Sequence, residues 1–86
     1  MEIKSLNNNA FEVILGDTFF KVSLSDKYYA SLVKKLSKKQ SKKEIIEASF
    51  RFLLDRESKN QILREFNIEI IKNYFPEFEN KVKDYL

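Results

Sequence analysis

Apolar and polar positions follow two different periods along this chain, and the change falls near residue 24. In Thr18–Leu24, Phe20, Val22 and Leu24 alternate with Phe19, Lys21 and Ser23. One face is apolar and the other mostly wet, the period-two pattern of a half-buried strand. A shorter run before it, Phe11–Leu15, is separated from it only by Gly16-Asp17. Two such runs around a two-residue glycine turn predict a β-hairpin, and glycine in first place favours the II′ geometry. Residues 2–6, "EIKSL", predict a third strand, with Asn7-Asn8-Asn9 as its turn.

After Leu24 the period becomes helical. Ser25 and Asp26 read as an N-cap and a first-turn acid. Tyr28, Tyr29, Leu32, Val33 and Leu36 then line one side of a helix. Ser41–Glu44, "SKKE", is a capping box that opens a second helix. Ile45, Ile46, Ser49, Phe50, Leu53 and Leu54 form its apolar side, which Phe52 broadens. A second box, "SKNQ" at Ser58–Gln61, predicts a shorter helix carrying Ile62, Leu63 and Phe66. Asn67 is a stop or a new cap. Ile68, Ile70, Ile71 and Tyr74 continue a helical pattern to Phe75, where Pro76 forces a break. Pro76 also suits the start of a terminal helix packing Phe78, Val82 and Leu86.

The expected fold is therefore α+β: an N-terminal antiparallel hairpin or three-stranded meander over residues 2–24, then three to four short packed helices over 26–86. Eighty-six residues make one domain. The twelve aromatics, eight Phe and four Tyr, supply its bulk. A chain this short hides only about 60–65% of its unfolded surface, so stability should be modest.

Composition narrows the chemistry. The chain has no cysteine and no histidine, which removes disulfides, thiolate sites and the usual catalytic base. One glycine excludes both the P-loop and the dinucleotide fingerprint. Glu65 with Glu69, and Glu77 with Glu79, are paired acids of the kind that can shuttle protons or hold Mg²⁺. On charged helix faces such pairs read as solvated surface. The expectation is a non-enzymatic protein with no cofactor and no metal. No apolar run resembles a leader or a membrane span, so a soluble, cytoplasmic protein away from membranes is expected.

The charge is asymmetric. Residues 1–43 hold nine lysines against four acids, and residues 44–86 hold seven basic residues against nine acids. Six of the lysines fall in Lys34–Lys43, "KKLSKKQSKK". Lys34, Lys35, Lys38 and Lys39 sit where cations complement a helix C-terminus, worth about 0.3–1 kcal/mol each. Lys42 and Lys43 fall at the next helix start instead. The stretch reads first as a solvated elbow and second as a grip for an anionic partner. Arg51, Arg56 and Arg64 lie among acids and should form surface pairs such as Asp55–Arg51.

Two resemblances add to this. "FFKVSLSDKYY…SKKEIIEASFRFLL" within Phe19–Glu57 resembles a ribbon-helix-helix DNA-binding module. The resemblance implies a dimer whose chains pair through Thr18–Leu24, with Lys21 and Ser23 facing bases. It also implies Ser41, Lys42 and Lys43 at a phosphate. The inter-helix turn lacks the family's usual glycine, and the hairpin reading competes for the same strand edge. Ser49–Glu79, "SFRFLLDRESKNQILREFNIEIIKNYFPEFE", resembles a group of short bacterial proteins with no assigned function. That likeness implies one structural unit and no activity.

The functional expectation is a small interaction domain, a monomer or weak homodimer, binding another protein through its charged surface. Tyr74, Phe75 and Phe78 are its candidate aromatic contacts, and a free strand edge offers a route to the dimer. A dimeric DNA-binding protein of the ribbon-helix-helix kind is the alternative.

Overall fold

The computed structural model describes residues 1–37 and 39–86. Three strands come first: β1 (Glu2–Ser5), β2 (Ala10–Leu15) and β3 (Thr18–Ser23), paired as an antiparallel meander. Leu15 opposes Thr18, so Gly16-Asp17 closes a two-residue turn. Gly16 takes φ +62° while Asp17 stays on the negative side, as a II′ turn requires. Asn7 makes the other turn, its Oδ1 accepting the Asn9 and Ala10 amides at 2.8 and 2.9 Å.

Helix α1 (Asp26–Leu36) starts at Ser25, whose Oγ accepts the Tyr28 amide. It ends at Ser37 in the left-handed region, φ 57°. Serine thus stands where a glycine would be expected. Helix α2 (Lys42–Leu54) opens on the Ser41–Glu44 capping box. It lies over the sheet's inner face: Phe50 meets Phe20 edge-on at 5.2 Å and packs against Phe66, tilted, at 5.9 Å. Phe11, Val13, Val22, Leu24, Leu32, Ile45 and Ile46 are buried around them.

Beyond α2 the chain departs from its helical expectation. The Ser58–Gln61 box forms, but it opens a single 3₁₀ turn, Lys59–Gln61. Ile62 is already extended. Glu65–Asn67 becomes β4, a fourth strand parallel to β3, giving the order β1-β2-β3-β4. Tertiary pairing overrides local helix propensity here, because β3 offers an unpaired edge that these residues satisfy. Asn67 then caps a 3₁₀ turn (Ile68–Ile70) that runs into α3 (Ile71–Tyr74). After Pro76 come α4 (Phe78–Lys81) and a last 3₁₀ turn, Val82–Tyr85. Phe78 and Val82 are buried, whereas Leu86 is exposed.

Phe52 anchors this C-terminal segment against α2, with Phe75, Phe78 and Tyr85 all edge-on to it at 5.2–6.1 Å. The Arg56 guanidinium covers the Phe52 ring at 3.7 Å, bonds Glu77 at 3.1 Å and donates to the Phe52 carbonyl. Arg51 pairs with Glu47 rather than with Asp55. Asp55 instead accepts the Tyr85 hydroxyl at 2.7 Å. Among the described residues, no buried side-chain nitrogen or oxygen lacks a partner.

The sheet's outer face carries a row of alternating sign. Lys4 opposes Glu12, Glu12 opposes Lys21, and Lys21 opposes Glu65, one charge on each strand. Opposite charges side by side across strands support the register.

Candidate protein-contact groove

The chain reversal between α2 and α3 leaves an open, mostly apolar groove of about 320 Å³. Buried Leu53, Ile62 and Ile71 make its floor. Leu63 and Tyr74, 51% and 66% exposed, stand at its edges. Glu57 is the charged side chain that lines it, with Gln61 beside it. The extended backbone at Ile62 turns its side chain inward and leaves Leu63 outside. Phe75 is half-buried in the groove wall.

Of the aromatic contacts expected from sequence, the groove therefore brings together Tyr74 and Phe75. Phe78 is fully buried in the core against Phe52 and has no surface to offer. Ile62 and Leu63 are groove residues that the helical reading of residues 58–66 assigned to a packing stripe, as the next helical pattern did Ile70. Their signal was faint: two adjacent apolar residues, Ile62 and Leu63, just after a capping box.

A second cleft of about 260 Å³ lies between α1 and the C-terminal segment, lined by Ser25, Lys27, Tyr28, Ser31, Lys35, Glu69, Lys72 and Glu79. Its two acids are matched internally. Glu79 bonds Lys35 at 2.6 Å and the Tyr28 hydroxyl at 2.7 Å, and Lys72 bonds Glu69 at 3.3 Å. The Lys35 and Tyr28 hydrogen bonds hold the Glu79 carboxyl below its ordinary range. Burial, then the bond to Glu79, pushes the Tyr28 phenol well above its usual value. Among the described residues, no group of three acids is placed to hold a metal ion.

The lysine stretch divides. Lys42 turns inward, its ammonium bonded to the Asn8 carbonyl, Asn9 Oδ1 and Asp26 Oδ1 at 2.9, 2.9 and 2.6 Å. Lys35 is held by Glu79. Lys34, Lys39 and Lys43 are exposed, and Lys38 lies outside the described residues. Ser41 is occupied as the α2 cap, and Glu44 Oε1 accepts the Ser41 amide at 2.8 Å. The Tyr29 hydroxyl donates to the Gln40 carbonyl, pinning the elbow to α1. Lys21 and Ser23 face outward on β3, but β3 is paired on both sides, to β2 and β4. On that second edge β4 covers Lys21–Ser23.

The fold and groove define a small α+β sheet-and-helix domain with an open apolar groove. Comparison with protein-family models, curated proteins and solved structures finds no match for the chain. No helix among the described residues is long and apolar enough to cross a membrane.

Proposed function

We propose that this protein is a protein-interaction module whose contact surface is the groove between α2, Leu63 and α3. Its ligand is an amphipathic segment of another protein, with bulky apolar anchors flanked by lysine or arginine. The observation that carries this reading is the exposure of Leu63 and Tyr74 beside an apolar floor, with Glu57 as the charged lining residue. Large side chains held out of water's reach only on one side are typical interface anchors. The acidic balance of residues 44–86, nine acids against seven bases, favours a cationic flank. The groove's volume suits a peptide's anchor side chains better than an enclosed substrate.

A DNA role is the weaker reading, because Lys35 and Lys42 are engaged within the chain and β4 occupies the β3 edge at Lys21–Ser23. The test is an NMR titration of the labelled protein with a synthetic amphipathic peptide bearing Leu and Phe at i, i+3 and i+7 and lysines at both ends. Shifts should cluster at Leu63, Ile70 and Tyr74. Leu63→Ala should weaken binding about tenfold, and Glu57→Lys should remove the preference for cationic over anionic flanks. Shifts confined to Lys34, Lys39 and Lys43 on adding random duplex DNA, with none from the peptide, would refute the groove reading.

A further inference from the structure

The first strand is an unprotected edge, and its residues match their own copy. Among the described residues, β1 is paired on one side alone, to β2. The Leu6 amide donates to the Ala10 carbonyl at 2.8 Å. Backbone groups along an antiparallel strand alternate in direction, so positions 2, 4 and 6 face β2 and positions 3 and 5 face outward. The outward amides and carbonyls of Ile3 and Ser5 form an open hydrogen-bonding edge. Neither a proline nor a bulge interrupts it.

We infer that β1 pairs with β1 of a second copy, antiparallel about a two-fold axis at Ile3, joining two sheets edge to edge. In that register Ile3 exchanges both backbone hydrogen bonds with its counterpart. The Ser5 amide meets the Met1 carbonyl of the other copy. Glu2 of each chain falls directly opposite Lys4 of the other. Both side chains lie on the outer face and are more than half exposed, so each can turn to the new partner. The half-buried Ile3 side chain gains its own copy as an apolar neighbour on the core side.

Charge selects this register. Centring the axis on Glu2 or Lys4 sets like charges face to face across the new seam. With the axis at Ile3, the alternating row Glu65, Lys21, Glu12, Lys4 continues into Glu2 of the second copy without a break in sign. A four-residue edge buries little area, so the dimer is weak and concentration-dependent. The inference is independent of the groove, which lies against β4 at the opposite edge.

The test is sedimentation equilibrium of the full chain from micromolar to millimolar concentration. The native chain should self-associate. Glu2→Lys alone and Lys4→Glu alone should each weaken association about tenfold, because each turns both cross-strand pairs repulsive. The double variant should restore it. Mixing the two single variants should produce a heterodimer, since each then offers the charges the other lacks. Ile3→Pro should abolish association while leaving the monomer folded, because the lost amide faces solvent in the monomer. A chain that stays monomeric at millimolar concentration overturns the inference, and so does a dimer indifferent to both reversals.

Discussion

The Tyr28 hydroxyl donates to Oε2 of Glu79 at 2.7 Å, joining residues 51 positions apart. Lys35 holds the other carboxylate oxygen at 2.6 Å. One carboxylate thereby ties the first and last turns of α1 to the C-terminal segment. The Tyr28 ring is buried, so its hydroxyl depends on this partner.

This arrangement gives stability a pH signature at both ends. Glu79's carboxyl is depressed in the fold, so its contribution is present above the unfolded value near 4.5 and is lost as pH falls through the folded one. Tyr28's phenol is raised, so its contribution is present below the unfolded value near 10 and is lost as pH rises above it. Urea denaturation midpoints should fall at both extremes. Glu79→Gln should flatten the acid side, and Tyr28→Phe should flatten the alkaline side at a cost of about 1–2 kcal/mol at neutral pH.

Lys42 and Lys43 are adjacent and chemically alike, yet they should behave differently. The Lys42 ammonium meets three oxygens, two of them on the β1–β2 turn. Its side chain is 15% exposed, and that of Asp26 is 82% exposed. The ion pair itself therefore contributes little, and the bonds to Asn8 and Asn9 carry most of the effect. Lys42→Ala should destabilise by about 1–3 kcal/mol, read as a lowered thermal midpoint. Lys43→Ala should stay within about 0.5 kcal/mol of the native chain.

The sequence made the hairpin, the Ser41–Glu44 box and both long helices legible because each depends on neighbours a few residues apart. Gly16 is the clearest case: one glycine between two alternating runs specifies the turn. The Ser58–Gln61 box shows the limit of such signals. Its local chemistry matches that of Ser41–Glu44, and both boxes form, but only one opens a full helix. A cap marks a start and says nothing of length. What ends the second turn is β3's free edge, supplied by residues more than forty positions earlier. The groove was hidden for the same reason, since Leu63 and Tyr74 share a surface only after the chain reverses through β4.

Ser37 marks a place where the fold accepts strain. It ends α1 at φ 57°, a conformation that costs an L-residue roughly 1 kcal/mol relative to glycine. Ser37→Gly should raise the free energy of unfolding by about 0.5–1 kcal/mol. Gly16→Ala should do the reverse by a similar amount. Its Cβ would meet nothing closer than the Lys59 ammonium at 3.8 Å, so the cost would come from φ +62° alone. Paired urea titrations of the two variants separate backbone strain from packing.

Phe52 is the residue on which the C-terminal segment depends most. It sits on α2 with no exposed surface, and Phe75, Phe78 and Tyr85 each place a ring edge against it. Arg56 closes the remaining side. These partners belong to short turns that hold few contacts of their own, and α3 and α4 are four residues each, too short to persist alone. Removing the ring costs transfer energy and leaves a cavity beside three aromatics. Phe52→Ala should therefore lose about 3–5 kcal/mol, a large share of what a domain this small can hold. The loss should be uneven. Amide exchange should accelerate most across residues 71–85, while β2 and β3, packed through Phe20 and Phe50, keep more of their protection. Phe52→Leu should recover part of the stability without restoring the three edge-on contacts. Uniform loss of protection across sheet and helices would show that the segment is no separate unit of the fold.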